Sequence, residues 1–352
     1  MTLEQAISAV RPPCEQSRAA ANKRFSDIAM PLGSLGLLQD AVAQIAAIRR
    51  TVRPSIAKRA VVMFCADNGV VAQGVTQCGQ EVTATVTENM GRGQSAVCLM
   101  AQHIGMDSFP VDIGVARDVQ GERILHRKIR YGTADMTQEP AMTREEAVRA
   151  VEVGIELAEW CAAQGYDLLC GGEMGIGNTT TSAAVTAALT GADVETVTGR
   201  GAGLSSEGLA RKVRAIQTAL ALHQPDPHDP IDVLHKVGGL DIAGLAGFYL
   251  GAAACGLPAV LDGVISCAAA LIAVRLCPEV RGYLLAGHRS EEPAGALLLR
   301  ELELSPFITA GMRLGEGTGA VAAVSLLDLV FAAYDGMPSF AEAGVEAYQP
   351  LK

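Results

Sequence analysis

The chain has 352 residues, 49% of them hydrophobic and only 4% aromatic, with a formal net charge of −10 and a mean hydropathy of +0.26. Its length supports one large or two ordinary domains around a sizeable core, while negative charge and scarce aromatics argue against nucleic acid or an acidic membrane as partner. The apolar run 264–276 is too short to cross about 30 Å of hydrocarbon, and MTLEQAISAVRPP at the start lacks the pattern of a secretory signal, so a cytoplasmic protein with no membrane partner is expected.

Residues 1 to about 50 read as mainly helical, without a strand buried on both faces. Short, near-continuous apolar segments then recur at 60–65, 109–114, 167–171, 258–264, 282–286 and 308–314, most followed by glycine-bearing turns. Runs of this length suit strands covered on both sides. Stretches rich in alanine and leucine, with helical spacing, lie at 144–164, 181–189 and 209–222. Strands alternating with helices predict an α/β fold around a mostly parallel sheet. The segment 224–232, with three prolines, reads as a loop, and residues beyond about 320 return to helical patterning. The expected organisation is an α/β domain over 56–319 and a small helical domain assembled from 1–55 and 320–352. Nine cysteines without C-x-x-C spacing read as small buried hydrophobes, not as disulfides or zinc ligands.

Glycines cluster directly after the strand segments, where an open parallel sheet presents its crevice to ligands. FCADNGVVAQGV (64–75) puts Asp67 and Asn68 in such a loop, as ligand contacts or as an Asx turn. GGEMGIGNTTTSAA (171–184) is a glycine-rich turn feeding an alanine-rich helix. Glycines there let the backbone approach a ligand, and free amides at the helix start suit a phosphate. Asn178, Thr179 and Thr180 can add donors or cap the helix, but capping leaves Glu173 unexplained, because a carboxylate is repelled by a neighbouring anion. TGRGAGLSSEGLARK (198–212) and AGHRSEEPAG (286–295) combine glycine, hydroxyl and cationic residues, a set suited to phosphate and ribose. A solvated helix face is the alternative for Lys212, a structural turn for His288 and Arg289, and capping for Asp241 and Asp262. In RLGEGTGA (313–320), Glu316 stands among glycines. A dinucleotide fingerprint is disfavoured there, since no βαβ unit and no ribose-binding acid follow. The carboxylate serves as a general base or caps the following helix.

Taken in order, PLGSLG (31–36), ADNGV (66–70), GGEMGIGNTT (171–180), GRGAGL (199–204), GGLDIAGLAG (238–247), DGVISCAAAL (262–271), GHRSEEP (287–293) and RLGEGTGA (313–320) resemble the nicotinate-nucleotide:dimethylbenzimidazole phosphoribosyltransferase family. The resemblance implies a Rossmann-like domain with a six-stranded, mainly parallel sheet, a small helical domain built from both termini, and a homodimer. It implies transfer of the phosphoribosyl group of nicotinate mononucleotide to an aromatic base such as 5,6-dimethylbenzimidazole, without metal or cofactor. The products are an α-ribosyl nucleotide, for cobamide biosynthesis, and nicotinate. Glu316 matches the family's catalytic glutamate and Glu173 a second active-site carboxylate. Gly175, Gly177, Lys212 and Ser290 fall on nucleotide and phosphate positions, and Asn178, Thr179, Gly315 and Gly317 are expected beside them. Thr76, Cys78, Thr85, Met174 and Leu314 are the expected base-binding residues.

The chain departs from the family pattern at Met30, where lysine is common before PLGSLG, and at Asn68, where histidine is common. In GVTQCGQEVTATV (74–86), Thr76, Cys78, Gly79 and Thr85 replace a serine, an aromatic, a proline and a glutamine. A differently shaped base pocket would admit a phenolic, purine or other benzimidazole acceptor. Rivals of another kind are a catalytically weak nucleotide-binding subunit paired with an active homologue, and an NAD-dependent dehydrogenase.

Overall fold

The computed structural model describes residues 1–348. Its strands are β1 Arg59–Ala66, β2 Asp107–Gly114, β3 Leu125–His126, β4 Leu168–Met174, β5 Ala259–Leu261 and β6 Leu284–Ala286. They form one six-stranded sheet in the order β3-β2-β1-β4-β5-β6, every neighbouring pair parallel. The chain winds outward one way from β1 and the other way from β4. Connections therefore diverge at the carboxyl ends of these two strands and leave a crevice, as in Rossmann-like α/β folds.

Along β1, Ala60, Val62, Phe64 and Ala66 join one core and Val61, Met63 and Cys65 the other. This is the period-two alternation of a strand covered on both faces. The first face is covered by the helices Arg144–Ala163 and Leu240–Ala254. The former begins with a capping box between Thr143 and Glu146. GGLDIAGLAG is largely a packing motif. A β-carbon on Gly247 would collide with the Val151 carbonyl oxygen, and one on Gly154 with that of Gly244, so glycine lets the two helix backbones touch.

The second face is covered by helices from both ends of the chain, Glu15–Asp27, Leu37–Arg49 and Thr318–Gly336. The Phe25 and Tyr334 rings lie 4.6 Å apart, and Arg24 Nε donates to the Tyr334 carbonyl at 3.0 Å. The first helix, Leu3–Ala9, packs instead on the opposite face, against Arg144–Ala163 and Leu240–Ala254. Thr318–Gly336 is long and apolar enough to cross a membrane, yet half of its apolar window is buried, with Ala320, Val324 and Leu327 in the second core.

One expected strand is corrected. Residues 308–314 form an exposed loop that touches the sheet only through a bridge between His288 and Ile308. Gly311 there is left-handed at φ 65°, which breaks an extended ladder. The sixth strand is the two-residue β3, too short to leave an apolar run in the sequence. Residues 258–264 narrow to β5 because the helix Val264–Leu276 starts at once, and residues 224–229 are the loop before the helix Pro230–Val237.

Candidate active site

The carboxyl ends of β4 and β5 bring three acids together. Glu173 is carried by β4, and an added β-carbon on the preceding Gly172 would strike the Glu316 carbonyl oxygen, so the RLGEGTGA loop lies directly on that strand. Glu316 has φ 63°, between Gly315 at φ 86° and Gly317 at φ 101°. Left-handed backbone is costly for a residue with a β-carbon, and such outliers collect at functional sites. Asp262, at the end of β5, secures the turn by accepting from the amides of Gly317 at 3.1 Å, Gly319 at 2.7 Å and Ala320 at 3.3 Å. Asp262 thus caps the helix Thr318–Gly336. Glu316 caps a different helix, accepting at Oε2 from the Val97 amide at 3.2 Å. Burial pushes the Glu316 carboxyl above its usual range and the Val97 amide opposes this.

Beneath the turn lies a buried polar cluster. The Asn178 side-chain amide donates to Glu173 and, at 2.9 Å, to Asp241 Oδ2. Burial pushes the Glu173 carboxyl up to about 8, reinforced by the Asp241 charge and opposed by Asn178. Asp241 is pushed up to about 6, again by burial. A carboxyl near 8 keeps its proton at neutral pH in most molecules. The folded chain then binds more protons than the unfolded one between pH 4.5 and about 8. Stability from this group is therefore full below pH 4.5 and lost as pH rises through about 8. Thermal melts from pH 5 to 9 should accordingly fall less steeply in Glu173→Gln than in the parent, by an amount on the order of a few kcal/mol. Parallel curves would show that Glu173 is ionised in the fold.

One solvent-open cavity is lined by Glu173, Met174, Gly175, Gly177, Asn178, Thr179, Ser290, Leu314, Gly315 and Glu316, and by Thr76 and Cys78. Three expected residues stand elsewhere. Thr85 is exposed, its hydroxyl bonded to the Glu81 carbonyl at 3.0 Å. On the helix Glu81–Gly91, Thr83 and Thr87 face inward, which turns Thr85 outward by the helical period. Gly317 is buried behind the turn, against Val61. Lys212 is fully buried one layer back, its Nζ donating to Thr179 Oγ1 at 2.7 Å and the Gly199 carbonyl at 3.1 Å.

The cavity also gathers Arg200, Arg313, Asp262 and His288. All four lie in motifs that the sequence already marked, but no residue type there distinguishes a ligand contact from a cap. His288 Nε2 stands 3.4 Å from Asp262 Oδ1. Among the described residues, no group of three or more His, Cys, Asp or Glu side chains is arranged to hold a metal ion. In this cavity the Gly175–Thr179 turn, Arg200 and Ser290 offer donors to an anion. In the same cavity, Glu316 presents a half-buried carboxylate.

The family described as Phosphoribosyltransferase (DBI_PRT) matches residues 10–345. A nicotinate-nucleotide:dimethylbenzimidazole phosphoribosyltransferase of Ruminiclostridium cellulolyticum is 44% identical over 352 residues, which is 100% of both chains. One of Chloroflexus aggregans is 49% identical over 344 residues, covering 97% of this chain and 98% of its own. The crystal structure of CobT from Thermus thermophilus superimposes with a TM-score of 0.90 at 41% identity, over 95% of this chain and 100% of that one. Agreement in sequence and fold over essentially the full length establishes that the chain belongs to the nicotinate-nucleotide:dimethylbenzimidazole phosphoribosyltransferase family.

Proposed function

We propose that this chain transfers the phosphoribosyl group of nicotinate mononucleotide to 5,6-dimethylbenzimidazole, releasing nicotinate and α-ribazole 5′-phosphate for cobamide biosynthesis. The observation that carries the reading is the pairing, in one cavity, of Glu316 on a left-handed turn with the glycine-rich start of the helix Asn178–Thr190. The phosphate is bound by the amides and hydroxyls of that helix start, with Arg200 and Ser290 supplying further donors and Lys212 a cation one layer behind Thr179. The base lies toward Thr76, Cys78, Met174 and Leu314, with Thr85 outside the pocket.

The bond that breaks joins ribose C1′ to the pyridinium nitrogen, and its electron pair returns to the ring, which leaves neutral at that nitrogen. The bond that forms joins C1′ to one benzimidazole nitrogen, on the face opposite the leaving group, so a β-nucleotide gives an α-product. Glu316 accepts the proton from the other benzimidazole nitrogen. Glu173, held protonated near pH 7 by burial, acts as a hydrogen-bond donor, so the two acids divide the work by environment.

The same reading makes the protein a homodimer. Leu99 and Leu329 are 57% and 69% exposed on helices, Ala96–His103 and Thr318–Gly336, that pack against each other, and a second copy would cover them. Its place is the cytoplasm, where a charged nucleotide is retained. Incubation with nicotinate mononucleotide and a mixture of dimethylbenzimidazole, other benzimidazoles, purines and phenols tests the reaction. Chromatography should show α-ribazole 5′-phosphate as the main nucleotide product, with nicotinate equal to the sum of the ribosyl nucleotides formed. No nicotinate release with any base would overturn the proposal.

A further inference from the structure

We infer that the first turn of the helix Ala96–His103, with Ser95 as its N-cap, positions Glu316 by engaging one carboxylate oxygen and leaving the other to take the proton. The inference rests on the reading of Glu316 as the general base. Amides in the first turn of a helix have no partners within the helix. Here the Cys98 amide is taken by Ser95 Oγ at 3.4 Å and the Val97 amide by Glu316 Oε2 at 3.2 Å. A hydroxyl that accepts from Cys98 still has a proton to give. Ser95, itself buried, lies beside the Glu316 carboxylate and favours its ionised form.

Backbone alone does not aim this base. The left-handed turn over Gly315, Glu316 and Gly317 fixes the direction of the Cβ, but three side-chain torsions remain free beyond it. An anchor from an element 219 residues away in sequence removes that freedom. The helix that supplies it packs on β2 and on Thr318–Gly336, so it is held from two sides. The other acidic and basic side chains of the cavity are Asp262 at the end of β5, Glu173 at the end of β4, Glu292 and His288 after β6, Arg200 after the helix Val194–Val197, and Arg313 on Glu316's own loop, with the thiol of Cys78 beside them. Asp262 opposes ionisation of Glu316, and the Ser95–Val97 turn counters it. Ser95 is thus a positioning residue, not a catalytic one.

The test compares the parent with Ser95→Ala, Ser95→Gly, Ser95→Thr and Glu316→Gln, using the pH profile of kcat/KM for the base at saturating nicotinate mononucleotide. Glycine is an accepted N-cap without a hydroxyl, so Ser95→Gly answers the question even where Ser95→Ala folds poorly. Removing the hydroxyl that favours the ionised carboxylate should move the acidic limb up by about 0.5 to 1 pH unit and lower kcat roughly 3- to 10-fold. KM for the nucleotide should stay within about twofold. Ser95→Thr should restore both the limb and kcat. An acidic limb unmoved in Ser95→Gly, or a loss that Ser95→Thr fails to restore, overturns the inference. Substantial turnover in Glu316→Gln would instead remove the general-base reading itself, whatever Ser95 does.

Discussion

Glu316→Gln should lower kcat by roughly 10²–10⁴-fold, the usual contribution of a positioned general base, while leaving affinity for nicotinate mononucleotide within about twofold. The glutamine oxygen can still accept from the Val97 amide that Glu316 Oε2 now engages, and the left-handed backbone is unchanged, so the turn keeps its shape. What disappears is basicity. Choosing Glu316 over Glu173 rests on magnitude. A group pushed up to about 8 is some nine-tenths protonated at pH 7 and so already holds the proton that a general base has to accept. Glu316 is only half-buried, and the upward push of burial on its carboxyl is opposed by the Val97 amide. Glu173→Gln, which replaces one neutral donor by another, should therefore retain turnover within about tenfold. Single-turnover release of nicotinate, with calorimetric titration of the nucleotide, separates chemistry from binding. Turnover within threefold of the parent in Glu316→Gln would exclude it as the base, and collapse in Glu173→Gln alone would exchange the two roles.

How far the site was legible depends on what each residue's neighbours must do. Glu316 stands out because it is flanked by glycines and Glu173 because a carboxylate beside an anion site needs a reason, and the structure accounts for the glycines around both. Gly172 must let the Glu316 carbonyl sit on β4, and Gly315 and Gly317 occupy left-handed conformations. Strands β1, β2 and β4 were legible because both faces are buried, which forces unbroken apolar runs. The same criterion failed at both extremes of length. Residues 308–314 carry the apolar composition of a strand but have Gly311 in a left-handed turn and no continuous partner, whereas β3 has two residues and no pattern at all. Thr85 was misplaced because alignment to a motif ignores helix phase, and two positions from either Thr83 or Thr87 lies the opposite face. Asp262 read as a cap and is one. Its consequence, that the cap holds the turn bearing Glu316, needed β5 and the C-terminal helix to be brought together in space.

Lys212 is the residue for which sequence and structure differ most, and it carries a second large prediction. Its helical setting suggested a solvated face, yet the side chain is fully buried, and burial pulls the ammonium down to about 8 from 10.5. Below pH 8 the free protein therefore bears a desolvated cation at a cost of about 3 kcal/mol, offset by bonds to Thr179 and the Gly199 carbonyl. Lys212→Met keeps the volume, removes the cation and leaves those two acceptors unpaired, each worth roughly 1–3 kcal/mol. These effects nearly cancel, so the melting temperature of the free enzyme should change by only a few degrees. Binding has no such cancellation. A phosphate seated at Thr179, one layer in front of Nζ, would lose a charge-assisted interaction worth about 1.5–3 kcal/mol, which raises KM for nicotinate mononucleotide roughly 10- to 100-fold. In the parent, affinity should also weaken as pH rises past about 8, because the cation is lost, and this dependence should vanish in the variant. A nucleotide KM unchanged in Lys212→Met, measured beside an unchanged melting temperature, would leave the buried lysine a structural tie between the helix Ser206–His223 and Thr179 and transfer the phosphate to Arg200, Ser290 and the amides of the Asn178–Thr190 helix.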